Sequence, residues 1–421
     1  MGKLEKYSSY KDSGVDWLGE IPEHWKVKKL KYISIITMGQ SPENNHVNQN
    51  KIGVPFLQGN AEFGNINPTE KNWCVHPKKI ALKNDILYSV RAPVGAVNIA
   101  DKEYCIGRGL CSIRDMKIQK SFLYYSSILF KQEFDRFSTG STFEAISTFN
   151  IKNLKISIPP KEEQIKIASF LDSKTAQIDE AIKQKEKLIE LLKERKQIVI
   201  NDAVTKGLDK DVEFVDSGVE WIGKIPKDWN VEKGKRLFQQ MKRPVREQDE
   251  IVTCFRDGEV TLRTNRRTDG FTNALKEHGY QGIRKGDFVI HNMDAFAGAI
   301  GISDSDGKST PVYSVCRPWD EDLVFSEYYA RYLRNLALQD FILSLAKGIR
   351  ERSTDFRFKD FGELEYPLPP KEEQIKIVEY IENQTTKIDI AIELQQNYIS
   401  KLKEYKASLI DSVVTGKVKV S

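Results

Sequence analysis

Asp12-Ser13-Gly14-Val15-Asp16-Trp17-Leu18-Gly19-Glu20-Ile21-Pro22-Glu23-His24-Trp25 returns 204 residues later as Asp216-Ser217-Gly218-Val219-Glu220-Trp221-Ile222-Gly223-Lys224-Ile225-Pro226-Lys227-Asp228-Trp229. A second string, Pro159-Pro160-Lys161-Glu162-Glu163-Gln164-Ile165-Lys166-Ile167, returns unchanged from Pro369 to Ile377, 210 residues later. Two separate recurrences at nearly one offset identify a tandem duplication. Each half therefore has a repeated entry, a middle and a repeated exit. The middles, roughly 34 to 158 and 239 to 368, share only a thin skeleton. It consists of Asn84-Asp85-Ile86-Leu87 against Gly286-Asp287-Phe288-Val289, Gly95 against Gly298, and Tyr124-Tyr125 against Tyr328-Tyr329. Short β-rich runs, such as Asp85 to Val90 and Asp287 to His291, alternate with helical stretches such as Ser326 to Leu345. Gly, Pro and Asn punctuate them, and the pattern predicts two copies of one α+β domain.

The exits predict long helices. From Glu162 to about Lys206 neither proline nor glycine intervenes, two glutamates suit the positive end of a helix dipole, and Gly207 suits its close. One seam runs through Leu171, Ile178, Lys185, Leu192 and Val199, the other through Thr175, Ile182, Ile189, Lys196 and Ala203. The second copy repeats it with Ile381, Ile388, Gln395, Leu402, Leu409 and with Thr385, Ile392, Ile399, Lys406, Val413. This 4-3 spacing, with polar interruptions in matching places, is a coiled-coil pattern in which Lys185 and Gln395 are candidates for setting register. Each helix needs a partner for its apolar stripe, and the other half supplies one. The path of the chain makes the pair antiparallel, and about 44 residues at roughly 1.5 Å each give a rod of about 66 Å. Periodicity alone is equally compatible with a generic dimerisation coiled coil.

The 421 residues suit two or three domains, and a hydrophobic share of 40% is enough for real cores. A formal charge of only +5 with 30% charged residues excludes a uniformly basic coat, so nucleic-acid binding must come from local patches. Five cysteines without a CxxC pair fit reduced thiols in a cytoplasm. The amino-terminal residues carry no export or myristoylation pattern, and the longest apolar run, about Ala295 to Ile302, is far short of the ~20 residues that span a bilayer. Five histidines at no zinc-ligand spacing give no expectation of a metal. The run Gly301 to Ser309 resembles a phosphate-binding loop but has five residues between its glycines and two aspartates that repel phosphate. It is read instead as a hairpin turn, with Thr310 to Val315 as a strand. No amino-methyltransferase motif is present, so a stand-alone methyltransferase or nuclease is a minor alternative, alongside a protein-binding coiled-coil scaffold.

Two unlike middles of nearly equal length, each entered by DSGV(D/E)W(L/I)G-x-IP-x-x-W and closed by PPKEEQIKI and a long helix, resemble the specificity subunit of type I restriction-modification systems. The resemblance covers essentially the whole chain. It implies two target recognition domains, 1–158 and 211–368, joined by spacer helices at 159–210 and 369–421. Each domain is expected to read one half of a split, asymmetric site in double-stranded DNA. The helices are expected to fix the gap and to dock two methyltransferase subunits, with restriction-translocase subunits joining through the complex. The resemblance also implies a non-catalytic, cytoplasmic chain with no membrane contact and no cofactor of its own. S-adenosylmethionine and ATP with Mg are expected in the partner subunits.

Base and phosphate contacts need Arg, Lys, amides or hydroxyls at a groove. In the second middle the first candidates are Arg263, Asn265, Arg266 and Arg267, then Arg350, Arg352, Arg357 and Lys359. In the first middle they are Ser138, Thr139, Ser141 and Thr142, which occupy the place of the 347–354 segment, with Lys78, Lys79 and Arg91 as weaker candidates. Solvated charged faces are the competing reading for each. The tryptophans of the entry and Gln164 and Gln374 of the exit occur in both halves, so they are assigned to the common scaffold rather than to readout.

Overall fold

A computed structural model describes residues 5–136, 145–266, 278–345 and 355–420. The chain divides into two compact units, Met1–Lys185 with Asn397–Ser421, and Glu186–Gln396.

In the first unit, β1 (Tyr10–Asp12) and β2 (Glu20–Pro22) form the entry hairpin. Asp12 accepts from the Gly14 N–H at 2.9 Å, and Gly14 and Gly19 take positive φ values of 64° and 62° that L side chains rarely adopt. β3 (Lys26–Lys29) follows, then β4 (Ser34–Met38), β5 (Val47–Asn48), β6 (Val54–Leu57), β7 (Asn72–Cys74) and β8 (Ile80–Ala81). The middle continues with β9 (Ile86–Ser89), β10 (Val97–Ile99), β11 (Tyr104–Ile106) and β12 (Leu110–Asp115). α1 (Lys120–Arg136) and α2 (Thr148–Asn153) lead to β13 (Lys155–Ile158) and the long α3 (Lys161–Lys206). β13 pairs with β3, an antiparallel four-stranded sheet runs β10-β9-β12-β4, and a second sheet runs β5-β7-β6-β11-β8.

The second unit begins with β14 (Phe214–Asp216), β15 (Lys224–Pro226), β16 (Asn230–Lys233), α4 (Gly234–Leu237) and β17 (Phe238–Gln240). β18 (Val252–Cys254), β19 (Val260–Leu262), β20 (Gln281–Ile283), β21 (Phe288–His291), β22 (Ile300–Ile302), β23 (Gly307–Ser309) and β24 (Tyr313–Pro318) follow. α5 (Ser326–Leu338), α6 (Phe341–Ser344), α7 (Phe358–Glu363), β25 (Glu365–Leu368) and α8 (Lys371–Val414) close it. The hairpin β14–β15, the ribbon β16–β25 and the sheet β17-β24-β21-β22 repeat the first unit strand for strand. The rest does not repeat: where the first unit has a five-stranded sheet, the second has the separate pairs β18–β19 and β20–β23. The duplication thus preserves the α+β framework and changes what is mounted on it.

Three sequence expectations need correction. The helical stretch from Ser326 breaks into α5 and α6 because Asp340 adopts a left-handed φ of 60°, which no α-helix accommodates. The 301–309 run is not a hairpin: β22 pairs with β21 while β23 pairs with β20, so residues 303–306 turn a corner between sheets. The strand expected from Thr310 starts at Tyr313.

The long helices pack on each other within each unit. In the first, Asp179 faces Lys406 and Lys185 lies over the Tyr398 ring, so residue numbers rise along one helix as they fall along the other. In the second, Lys196 faces Asp389, while Ala203 and Val204 share a core with Ile377, Val378 and Ile381. Both sets of contacts are antiparallel. That core also contains Phe238, Phe288, Tyr328, Tyr329, Phe361 and Tyr366, so the framework sheet and the helices are one hydrophobic body there. Among the described residues no helix is long and apolar enough to cross a membrane.

Candidate nucleic-acid interface

The scaffold residues explain why the entry and exit strings recur together. Trp25 is fully buried and its Nε1–H donates to Glu163 at 2.7 Å; Trp229 repeats the bond to Glu373 at 2.9 Å. Gln164 accepts from the Gln119 N–H at 2.8 Å and donates to the Pro159 carbonyl, also at 2.8 Å. Gln374 does the same with the Phe325 N–H and the Pro369 carbonyl, both at 2.8 Å. The tryptophan and glutamine side chains therefore lock the entry and the middle onto the first turn of each long helix.

A buried acid holds each framework sheet. Asp85 receives the Arg114 guanidinium at 2.7 and 3.0 Å. Asp287 is fully buried and receives Arg243, Arg317 at 2.7 Å and the Arg284 N–H at 2.7 Å. Hydrogen bonding to these carboxylates raises both Arg114 and Arg317 above the ordinary arginine value. A buried charge is tolerable only when paired in this way. Sequence reasoning placed the two aspartates in the shared skeleton but assigned them no role. The signal available was their identical position before the central strand.

In the second unit, β18 and β19 form a hairpin whose exit turn carries the leading candidates. Arg263 donates through Nε to Thr253 at 3.3 Å, and Asn265 donates through Nδ2 to Thr261 at 2.7 Å. Arg266 is held by Asp257 at 2.7 Å and Glu259 at 2.9 Å, and lies 4.2 Å from the centre of the Phe255 ring. Its side chain is thus engaged by the hairpin's own acids. The adjoining Arg256 pairs with Asp294 at 2.8 Å, and the Phe356 N–H donates to the Asn292 carbonyl at 3.1 Å. The loop after β21 therefore joins the hairpin to the segment containing Arg357 and Lys359. Both of these side chains are exposed, with Arg357 paired to Asp355 at 2.6 Å. His291, at the end of β21, is pushed below its ordinary value by burial. Arg267, Arg350 and Arg352 lie outside the described residues.

The first unit has a matching join. The Ile146 N–H donates to the Val90 carbonyl at 2.7 Å, and Arg91 bridges to Ala145, so exposed Arg91 sits where the chain re-enters after 138–142. Ser138, Thr139, Ser141 and Thr142 themselves lie outside the described residues. Lys78 and Lys79 are exposed, and Lys78 is 3.7 Å from Glu43.

Along the helices, Leu171, Ile178, Ile182, Ile189, Val199, Ile381, Ile399 and Leu409 are buried. Leu192, Ile388, Ile392 and Leu402 are half-buried. Lys196 meets Asp389 and Lys406 meets Asp179, at 2.7 and 2.6 Å. The five cysteines are buried, with burial pushing the Cys111 and Cys316 thiols up. Among the described residues no group of three or more His, Cys, Asp or Glu is placed to hold a metal.

A sequence model described as the type I restriction modification DNA specificity domain matches residues 22–191. The Escherichia coli EcoBI specificity subunit aligns over 97% of this chain and 89% of its own length at 22% identity. The chain is similar to type I restriction specificity subunits. A protein from Methanocaldococcus jannaschii, named as the MjaX specificity subunit, is 42% identical over 205 residues, which are 48% of this chain and 46% of that protein. The chain thus spans about half the length of that relative. The solved HsdS subunit from Thermoanaerobacter tengcongensis shares the fold at a TM-score of 0.53 and 16% identity, covering 94% of this chain and 98% of that one. A chain from a study of assembly and conformational transition of the type I R-M system reaches a TM-score of 0.69 with the same coverages and identity.

Proposed function

We propose that this chain is the DNA-recognition component of a type I restriction-modification complex, each unit reading one short word of a split, asymmetric duplex site. The observation that supports it is the repeated framework carrying unlike inserts: the five-stranded sheet in one unit and the β18–β19 and β20–β23 pairs in the other. Unlike inserts on one frame suit two different half-sites, since sequence is read by local side chains at base edges. The antiparallel helices fix the unread gap.

Exposed apolar side chains on the helices, including Leu188, Leu191, Ile198, Ile390 and Leu394, offer docking surface for two methyltransferase subunits. Restriction-translocase subunits join through that complex. The chain itself is non-catalytic and works in the cytoplasm, with S-adenosylmethionine and ATP with Mg held by its partners.

Mapping methylated positions across the host genome with and without the gene tests this reading. Loss of one split motif, two words with an indifferent spacer, is expected; an unchanged methylation pattern contradicts it.

A further inference from the structure

The ribbon β3–β13 and its repeat β16–β25 share a backbone but differ in charge. Lys26, Lys28, Lys29 and Lys31 lie on or just past β3, while Lys152 and Lys155 flank the start of β13. Residues 26–31 and 152–158 contain no acid and no arginine. The ladder sets Lys155 directly opposite Lys29. Like charges so placed are destabilising. Lys31 donates to Asn153 at 3.0 Å, which ties the α2 end carrying Lys152 to the same surface. Among the described residues none of these six lysines makes an ion pair. Tyr32 and Phe149, 59% and 75% exposed, flank them.

The second unit provides an internal control. Its ribbon carries Lys233, Lys235 and Arg236 against Glu232, Glu363 and Glu365. Glu363 takes Lys233 at 3.2 Å and Lys235 at 2.7 Å, and Glu232 takes Arg236 at 3.2 Å. The same ladder therefore folds with its charges closed on themselves, so the fold has no need of six lysines without acid partners, and the Lys29–Lys155 opposition works against it. An anionic partner offsets that cost. A lysine ammonium is a compact point charge that meets a phosphate oxygen without requiring a planar, bidentate geometry.

The geometry points to the β3–β13 ribbon as a surface that grips the phosphate backbone of duplex DNA, independent of sequence and present in the first copy alone. It rests on the DNA-recognition reading above and adds to it a contact outside the candidate readout segments. Such a surface sets affinity and salt dependence and leaves the recognised words unchanged.

The test uses the full chain and a labelled duplex of arbitrary sequence, titrated across a salt series. Lys29→Gln with Lys155→Gln is compared with Lys233→Gln with Lys235→Gln. The first pair is expected to lower the slope of log affinity against log salt by about 2, because each phosphate contact contributes roughly 1, while the second leaves it unchanged. Lys152→Gln alone, on the exposed surface of α2, should lower it by about 1 and provides a second readout if the double variant unfolds. An unchanged slope in the ribbon variants overturns the inference. So does an equal fall in the control pair, or loss of methyltransferase co-purification at constant slope, which assigns the ribbon to an acidic protein surface. An intact two-word footprint with an unchanged slope sinks this inference alone; a wild-type chain with no duplex affinity at any salt sinks the DNA-recognition reading with it.

Discussion

Asp287 carries a large single-residue stake in the second unit. It is fully buried with two guanidinium partners and a backbone N–H. Asp287→Ala leaves two arginines without their acid, and a cost of about 3–5 kcal/mol is expected in denaturant unfolding. Asp85→Ala, which removes the acid from one guanidinium, that of Arg114 at 36% exposure, and from the Leu82 N–H, should cost less. His291 gives a pH signature. Its folded pKa lies below the ordinary 6.5, so its contribution to stability is complete above that value and lost as pH falls through the lower folded value. The unfolding free energy of wild type relative to His291→Gln should therefore shrink between about pH 7.5 and about pH 5.5. Sequence made the aspartates visible through Asn84-Asp85 and Gly286-Asp287, but not their partners. Arg114, Arg243 and Arg317 are brought in only by strand pairing across tens of residues. Arg266 shows the same gap: it reads as a DNA contact in sequence, while Asp257 and Glu259 claim it once β18 and β19 pair.

The helices were legible at the level of the element. A proline-free, glycine-free stretch with glutamates at its start is α3, from Lys161 to Lys206, and its repeat is α8. The polar seam positions were visible as interruptions, but a heptad pattern says which residues face inward and not which residue stands across. Register was sought at Lys185 and Gln395. Lys185 lies over the Tyr398 ring of the other helix, and cross-helix ion pairs also stand at Lys196 and Lys406, another pair of shared interruptions. These lysines are about a third exposed, so each pair should show a coupling of only about 0.5–1 kcal/mol in a double-mutant cycle. Lys196→Asp should weaken the folded chain by placing like charges together, and adding Asp389→Lys should restore its melting temperature.

At the scale of the whole molecule the prediction concerns the spacer. On the proposed function, inserting one heptad into each of α3 and α8 should lengthen the unread gap in the methylation motif with both words intact. Altered words around a constant gap would contradict the helices' role. Exchanging residues 239–368 for the corresponding part of a similar specificity subunit should, on the same reading, change one word only. The duplication behind these expectations was plain from two recurring strings. The contrast between a five-stranded sheet and two separate strand pairs was not, because short strands with irregular spacing carry little periodic signal and their pairing is decided by distant neighbours.

The reciprocal lysine–aspartate arrangement has one more implication. Asp179 and Lys196 stand on α3 at the same interval as Asp389 and Lys406 on α8, and each acid meets the other helix's base. One repeat alone therefore holds both the lock and the key. A protein truncated after α3 should self-associate as a C2 homodimer, visible by light scattering, and on the proposed function its target should become a palindrome.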